Sequence, residues 1–337
     1  MARFTDFGND LYTGKRSIDF VGKRRIWFGI AILLVIAALA VPLIRGGGNF
    51  GDGFKFGIEF RGGSQFQISG ATSLNTQIGD KAVHSVVPNA VVAITTVGKD
   101  GVQVQTNQLT NDQTIKVSTA LASTYGVKDS NVTSTFIGAT WGGDITKQAV
   151  IGLLVFLALA ALFMAIYFRT WKMSVAAIMS LAHDLIITAG VYALTGFEVT
   201  PATVIGFLTI LGYSLYDTVV VFDKIRENTA ELGDDSSRTF GEAVNLAVNQ
   251  TLVRSINTGV VAALPVAAIL FIGSFILGAT TLRDISLALL VGTLIGTYST
   301  PFVASPLYAS FRQREDAIKK RDKRVLAQRS KSAAVTA

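Results

Sequence analysis

Four ionisable residues lie in or beside segments that are otherwise apolar enough to cross a membrane. They are His183 and Asp184 near the middle of one segment, Asp217 in the inner third of the next, and Arg254 just before a third. A charged side chain at the bilayer centre costs about 3 kcal/mol on insertion scales. A chain therefore retains such a residue where the side chain is paired with an opposite charge, is neutralised by a proton or has a function. These residue types predict proton transfer within the membrane.

The spacing of Asp217 and Arg254 predicts an ion pair between neighbouring spans. At 1.5 Å per helical residue, Asp217 lies about 8 Å from Phe222, and Arg254 lies a similar distance before Gly259. A guanidinium group can reach along its helix across such a gap. Burial and a nearby cation act oppositely on a carboxyl group's affinity for a proton, so protonation of Asp217 would release Arg254. The alternative is a permanent ion pair that only fixes helix register.

The remaining polar groups of the spans allow more than one interpretation. His183 and Asp184 point about 100° apart on a helix, so we expect no compact pair between them. The ordinary pKa of histidine suits a proton relay, but either side chain could instead bond a neighbouring helix. Glu198, in the short segment TGFEVTP, is expected to be a solvated loop charge. Four further side chains could line a proton path or join helices: Thr209, Ser214, Asn257 and Thr258.

The sequence argues against the main hydrolytic chemistries. The chain has no cysteine and two histidines, so thiolate chemistry is excluded and a zinc site is not expected. It contains no phosphate-binding P-loop. Tyr216-Asp217 and the stretch 263–265 imitate the motifs of an intramembrane aspartyl protease, but the GxGD motif of that class does not follow in a later span. A rhomboid-type serine protease is disfavoured because it needs a histidine after the serine, whereas His183 precedes Ser214. We therefore predict no catalytic residue, no metal and no cofactor, with a proton gradient as the energy source.

Composition indicates an integral membrane protein with six spans. Half of the 337 residues are apolar, 16% are charged, and the mean hydropathy is +0.47. The apolar windows are Ile26 to Ile44, Ala149 to Phe168, Met173 to Leu194, Ala202 to Phe222, Gly259 to Leu277, and Ile285 to Val303. The first window has full span length and no clear cleavage pattern after it, so we expect it not to be a cleaved signal.

The distribution of Lys and Arg predicts the orientation. Of the 30 cationic residues, 21 fall before the first span, in two alternate loops and after Phe311. The positive-inside rule therefore places both termini in the cytoplasm and the loop from Arg45 to Lys147 outside. The net charge of +7 suits anionic lipid rather than nucleic acid. An acidic partner of the tail from Arg312 to Lys331 is the alternative.

The first long loop predicts an extracytoplasmic α+β domain. A strand from Phe54 to Ile68, bent at Gly62-Gly63, is followed by a helix from Ser73 to Val87. Two strands then flank the turn GKDG, and a helix and a last strand follow. Their predicted ranges are Ala90 to Val97, Val102 to Thr106, Asn111 to Tyr125 and Asn131 to Ile137. This βαββαβ order is the ferredoxin-like arrangement.

A second segment outside the spans predicts an amphipathic helix that lies at the inner membrane surface and leads into the fifth span, as a surface connector or, alternatively, as a gating lever. Thr239 and Glu242 fit a capping box. The apolar face of the helix comprises Phe240, Val244, Ala247, Val248 and Leu252. The predicted organisation is a cytoplasmic segment (1–25), span one (26–44), the external domain (45–147), spans two to four (148–222), a cytoplasmic loop (223–257), spans five and six (258–308) and a basic tail (309–337).

Four stretches, in this order, resemble the SecF family of bacterial protein-export subunits. They are FGIEFRGG (56–63), LAHDLIIT (181–188), LGYSLYDTVVVFDKIREN (211–228) and NQTLVRSINTG (249–259). The motif positions outside the ionisable set are Gly57, Glu59, Gly62, Gly63, Gly212, Ser214, Asp223, Arg226, Glu227 and Asn228. The chain departs from the family pattern where Glu59 replaces Asp, Tyr216 replaces Asn, Lys224 replaces Arg and Ser255 replaces Thr.

The resemblance implies a fold, a function and a set of partners. The fold would be half of a twelve-span bundle of the RND type, completed by SecD. The function would be proton-driven assistance to export, with Asp217 and Arg254 in proton conduction and the external domain preventing the polypeptide from sliding back. Implied partners are SecD, the SecY/SecE/SecG channel, YajC or YidC-type proteins, the unfolded preprotein and the bilayer of the bacterial cytoplasmic membrane. A passive assembly subunit and an RND-type exporter of lipids or small molecules are the alternatives.

Overall fold

The chain begins with two helices joined by a short extended segment. The computed structural model describes residues 2–230, 232, 237–275 and 280–336. Helix α1 (Ala2–Tyr12) is short. Helix α2 (Arg24–Arg45) is long and apolar enough to cross a membrane, and it covers the first predicted span with one or two further residues at each end.

An α+β domain follows α2 and has the predicted βαββαβ order. Its elements are β1 (Lys55–Phe56), α3 (Ile58–Arg61), β2 (Gly63–Ile68), α4 (Thr76–Val86), β3 (Val92–Val97), β4 (Gly101–Thr106), α5 (Asn111–Tyr125) and β5 (Val132–Ile137). The four longer strands form an antiparallel sheet in the order β3-β4-β2-β5. Helices α4 and α5 pack against this sheet and bury a core that includes Phe66, Val104, Leu121 and Tyr125.

Local signals define the ends of α5. Thr110 accepts a hydrogen bond from the Gln113 N–H while the Gln113 side chain accepts one from the Thr110 N–H, which is a complete capping box. Gly126 ends the helix with φ +69°, a left-handed conformation that glycine adopts without a Cβ clash. The predicted bounds of α5 are therefore confirmed at both ends.

The first predicted strand of the domain is wrong in part. Before Gly62 the strand is limited to Lys55–Phe56, which pairs with residues 198–199 and not with the main sheet, whereas Gly63–Ile68 forms β2 of that sheet. The alternating residues after it form the short helix α3, which begins after Gly57 and ends at Gly62, where φ is +74°. Gly63 then starts β2 so close to β4 that a Cβ would lie 2.4 Å from the Thr106 carbonyl oxygen. The paired glycines therefore make a helical turn between two strands, not a bend in one strand.

The rest of the chain is almost entirely helical. The elements are α6 (Ala139–Phe168), α7 (Trp171–Thr195), β6 (Glu198–Val199), α8 (Pro201–Ala230), α9 (Phe240–Phe275), α10 (Thr280–Ser299), a π-helical segment (Thr300–Ala304), α11 (Ser305–Arg312) and α12 (Asp316–Thr336). Within the described residues, six helices could cross a membrane: α2, α6, α7, α8, α9, and α10 together with its continuation to Arg312. The predicted end of the fifth span at Leu277 and residues 231 and 233–236 of the predicted loop lie outside the described residues.

Helices α7, α8 and α10 form the centre of the bundle. In the most apolar stretch of α7, 56% of residues are buried, against 11% for α2 and for α6. Glycines allow close approach between α8 and α10, since a Cβ on Gly292 would lie 2.3 Å from Ile210 and one on Gly296 would lie 3.0 Å from Ser214. Small residues commonly mark such contacts between membrane helices. The polar side chains of α8 and α10 are thereby brought together.

The predicted amphipathic helix is the beginning of α9 and leads into the fifth span as predicted, but its apolar face packs against other helices and does not lie on the membrane surface. Thr239 and Glu242 form the predicted capping box. All five predicted apolar residues are buried, in a core shared with α6, α7, α8 and α11. The helix then continues without interruption into the fifth span. Burial of this face against other helices, rather than against lipid, explains the difference.

Candidate proton-transfer site

Asp217 lies at the centre of a polar cluster between α8, α9 and α10. Its side chain is 6% exposed. Oδ1 accepts a hydrogen bond of 2.7 Å from Ser255 Oγ on α9. Oδ2 is buried and has no hydrogen-bond partner within the described part of the chain. A buried carboxyl group with one oxygen unpartnered is stable in its protonated, neutral form. When it loses the proton, a cation or a water molecule must approach to compensate the buried negative charge.

The predicted ion pair between Asp217 and Arg254 is not formed in this structure. Arg254 is the residue before Ser255, and it lies close enough for a coulombic attraction to Asp217 without contacting it. Its side chain is exposed and lines a cavity of about 460 Å³ together with Asp223 and Thr251. The helical geometry places Ser255, not Arg254, directly towards the carboxyl group.

Asp184 is the second buried carboxyl group, and it forms more hydrogen bonds than Asp217. Its Oδ2 accepts hydrogen bonds from Ser214 Oγ of α8 at 2.7 Å and from Ser299 Oγ of α10 at 2.9 Å. Its Oδ1 lies 3.1 Å from Nδ1 of His183. The expectation that these adjacent residues would not pair is wrong, because rotation of both side chains overcomes the 100° between their Cα–Cβ directions. Nε2 of His183 is buried without a partner among the described residues.

A break in regular helix hydrogen bonding lies beside the two carboxyl groups. The π-helical segment begins at Thr300 and contains Pro301, which has no N–H to donate to the preceding turn. The Thr300 hydroxyl contacts Thr218 on α8 at 3.1 Å and donates to the Gly296 carbonyl at 3.2 Å. Single π-helical turns inside α-helices are often associated with functional sites. The cluster therefore combines two carboxyl groups, several hydroxyl groups and an irregular helix turn.

The other predicted motif residues lie at three separate places. Gly57, Glu59, Gly62 and Gly63 form the turn around α3. Asp223, Arg226, Glu227 and Asn228 lie in the last turns of α8, where Glu227 pairs with Lys224 at 2.6 Å and Asn228 donates to Gln250 on α9 at 2.9 Å. A Cβ atom added at Gly212 would have no contact within 4 Å among the described residues outside its own helix turn. Of this motif set, only Ser214 contacts a buried carboxyl group directly.

The α+β domain contacts the bundle through a pair of short strands, and a second group of acids lies at this joint. Strands β1 and β6 pair in parallel, with Lys55 opposite Glu198, and Gly57 donates to the Val199 carbonyl at 2.9 Å. Glu198 accepts a hydrogen bond of 2.9 Å from Gln105, so its interpretation as a solvated loop charge is wrong.

Glu59, Glu198 and Asp284 share a cavity of about 310 Å³ at this joint. Burial raises the pKa of the Glu59 carboxyl group above its ordinary value, and the nearby Glu198 adds to the effect.

Sequence reasoning missed several members of the cluster. Ser255, Ser299 and Thr300 are common residue types in membrane helices, and nothing in their local sequence distinguishes them from residues that only join helices. Asp284 could have been found, because Arg283-Asp284 opens an otherwise apolar window. The described residues contain no group of three His, Asp or Glu side chains that could hold a metal ion.

Two family models match the chain. The model described as "Protein export membrane protein SecD/SecF, C-terminal" matches residues 116–314, and the "SecD/SecF GG Motif" matches residues 50–72. The second match contains the glycine turn around α3 together with Glu59, and the first contains Asp184, Asp217 and Asp284. Together they cover the beginning and end of the α+β domain and the bundle from α6 to α11, while residues 73–115 and helix α2 lie outside both matches.

Relatives and solved structures are similar over most of the chain. The protein translocase subunit SecF of Mycobacterium tuberculosis (H37Rv) is 42% identical in an alignment of 334 positions that covers 96% of this chain and 74% of that protein. The subunit of the same name from Streptomyces coelicolor is 42% identical over 99% of this chain and 87% of its own length. The crystal structure of SecDF, a translocon-associated membrane protein from Thermus thermophilus, superposes with a TM-score of 0.76 at 31% identity. That superposition covers 89% of this chain and 39% of that longer one.

Proposed function

Because the chain belongs to the SecD/SecF family of protein-export membrane proteins, we propose that it couples the proton-motive force to protein export through Asp217. In this proposal it is a non-enzymatic accessory subunit of the Sec translocon in the bacterial cytoplasmic membrane, with both termini in the cytoplasm. Its α+β domain contacts the emerging preprotein and opposes backsliding.

The observation that carries the proposal is the unpartnered oxygen of Asp217. With Oδ1 held by Ser255 and Oδ2 buried without a hydrogen-bond partner among the described residues, the carboxyl group can accept a proton without breaking an existing contact. Loss of the proton leaves a buried charge that has to be balanced. Arg254 is one residue from Ser255 and is the nearby cation that can balance it. Protonation thereby controls whether Arg254 is drawn towards the centre of the bundle.

The cavity beside Arg254 supports a proton route to one side of the membrane. Val220 and Thr251 line it, and they lie one helical turn from Asp217 and Ser255 respectively. Asp223 lines the same cavity and offers Arg254 an alternative carboxylate when Asp217 is neutral. A proton moving across a membrane potential of 100 mV gains about 2.3 kcal/mol, enough to move an arginine between two carboxylates.

Partnership with SecD is supported by an uncovered face of α8. Ile205, Thr209, Gly212 and Tyr216 recur at helical spacing along this face and are exposed or half-exposed, Tyr216 by 64%. Gly212 leaves room there for close approach of another helix. Relatives named SecDF carry a segment similar to this chain within a longer protein, which supports a SecD subunit as the occupant. Contacts with the SecY/SecE/SecG channel and with YajC or YidC-type proteins belong to the same proposal.

Asp217→Asn tests the proposal. The amide keeps the size of the side chain but cannot be ionised, so we expect loss of proton-gradient stimulation of export in vesicles while the chain still co-purifies with SecD. Asp112→Asn, at an exposed position of α5, is the matched control and should export normally. Full stimulation in Asp217→Asn would instead favour a passive assembly subunit. Failure of the wild-type chain to co-purify with a SecD subunit would favour an independent exporter.

A further inference from the structure

A third cavity, larger than the two described above, lies between the segment before α2 and the beginning of α9. Its volume is about 1000 Å³. Asn245 of α9 holds one wall in place, because its side-chain oxygen accepts hydrogen bonds from the backbone N–H of Phe20 at 2.8 Å and of Val21 at 3.2 Å. Its side-chain nitrogen donates to Ser17 and to the Ile18 carbonyl, both at 3.0 Å. The cavity is therefore a built feature of the fold and not a gap beside a loose segment.

The lining of this cavity carries an excess of positive charge. Four arginines face two acids: Arg24, Arg25, Arg238 and Arg329 against Asp19 and Glu242. Arg329 binds Glu242 through two hydrogen bonds of 2.8 and 2.7 Å, and Asp19 accepts the Gly22 N–H at 2.6 Å. Arg24 donates to the neutral side chain of Gln313 and forms no ion pair with an acid among the described residues. Arg25 is exposed and has no side-chain partner within the described part of the chain.

The position of the cavity is at the edge of the membrane-spanning region. Arg24 and Arg25 are the first two residues of α2, and the apolar run of the first span starts directly after them. Trp27 follows, and its indole N–H donates to the Asp19 carbonyl at 3.3 Å. Tryptophan is enriched at the boundary between hydrocarbon and water. Arg24 and Arg25 both line the cavity at this boundary.

The outer side of α2 offers an apolar surface that continues from the cavity. Ile26, Ile30 and Leu33 recur at positions i, i+4 and i+7, and all three are exposed, Leu33 by 65%. Contiguous apolar surface of this kind at a membrane helix is contacted by acyl chains. A ligand with a negatively charged phosphate and long alkyl chains matches the charge of the cavity and this surface together.

We propose that the cavity binds the headgroup of an anionic glycerophospholipid, with its phosphate between Arg24 and Arg25. The acyl chains lie along the exposed side of α2. The bound headgroup joins α2 to the beginning of α9, the helix that also carries Arg254 and Ser255. Lipid composition thereby influences the spacing of the helices around Asp217. The binding itself does not depend on the proposed proton coupling.

Lipid binding to the purified full-length chain in a neutral detergent tests the proposal. Phosphatidylglycerol and phosphatidylcholine with identical acyl chains are titrated, and bound lipids are counted by native mass spectrometry. Each basic side chain near an anionic headgroup contributes about a fivefold factor, so Arg24→Gln with Arg25→Gln should weaken phosphatidylglycerol binding about thirtyfold. Lys319→Gln with Lys320→Gln removes the same charge from exposed positions of α12 outside the cavity and should change nothing.

Arg25→Gln alone keeps the test valid if the double variant does not fold. Arg25 forms no side-chain hydrogen bond or ion pair with the described residues, so this substitution removes no contact that stabilises the fold. It should weaken phosphatidylglycerol binding about fivefold. Equal losses in the α12 control would overturn the proposal, as would equal binding of phosphatidylcholine. Displacement of the lipid by inorganic phosphate at the same concentration would also overturn it, since it would indicate a site for a soluble anion. None of these measurements uses export, so they stand apart from the test of Asp217.

Discussion

Under the proposed coupling, replacing Ser255 with alanine should move the pH dependence of proton-gradient stimulation of export to higher pH. The Ser255 hydroxyl donates a 2.7 Å hydrogen bond to Oδ1 of Asp217, and the other carboxyl oxygen has no partner among the described residues. A hydrogen bond to an ionised group contributes about 1.5–3 kcal/mol. Since one pH unit corresponds to about 1.4 kcal/mol, loss of this donor should raise the midpoint by about one to two pH units. The direction follows because the hydroxyl stabilises the ionised carboxylate, so the neutral form is favoured without it.

The assay is proton-gradient stimulation of preprotein export in membrane vesicles that contain the chain and its SecD partner, measured across a series of pH values. Ser255→Thr keeps a hydroxyl group at the same position and should retain the wild-type midpoint. Ser299→Ala removes a donor to Asp184 instead, at 2.9 Å, and serves as a control for general loss of polarity in the bundle. An unchanged midpoint in Ser255→Ala, or an equal shift in Ser255→Thr, would refute the assignment of Asp217 as the titrating group.

Two further predictions concern stability. Burial raises the pKa of Glu59, so the folded chain retains a proton at pH values at which the unfolded chain has released it. The free energy of unfolding should therefore fall as the pH rises above the ordinary pKa of a glutamate side chain. Glu59→Gln should remove this decline in thermal unfolding measured between about pH 4 and 8, and a decline that persists would point to another group. Gly190→Ala should destabilise the contact between α7 and α2 by about 1–3 kcal/mol, because the new Cβ would lie 2.5 Å from the Cβ of Ala38. Gly152→Ala, where nothing lies within 4 Å, should unfold like the wild-type chain in the same denaturation experiment.

The sequence was sufficient for the six spans and for the order of the elements in the α+β domain. Apolar windows of span length depend on a free energy of transfer that is summed over about twenty residues, so individual exceptions do not obscure them. Capping residues such as Thr110 and Gly126 act on their nearest neighbours, so the bounds of α5 could also be read locally. The alternating phenylalanines before Gly62 were misleading because a period of two was interrupted by a helical turn of four residues.

The composition of the site was only partly predictable, because it depends on contacts between helices far apart in sequence. The buried acids Asp184 and Asp217 were identified by their cost in an apolar segment. Their partners are serines and threonines on other helices, and which of these faces a carboxyl group is determined by helix rotation. Arg254 illustrates the limit, since a rotation of one residue along α9 exchanges it for Ser255 as the direct contact. Spacing along one helix does not specify that rotation.

The parallel pairing of β1 with β6 has a mechanical consequence. Helix α8 begins two residues after β6 and continues unbroken for 30 residues, so Asp217 is linked to the α+β domain by a stiff rod and not by a flexible loop. A force on that domain is therefore transmitted along α8 to the carboxyl group about 24 Å away. Linkage between two sites is reciprocal. Under the proposed coupling, tension from a polypeptide held by the domain changes the proton affinity of Asp217. The free energy of this change equals the free energy by which protonation of Asp217 favours movement of the domain.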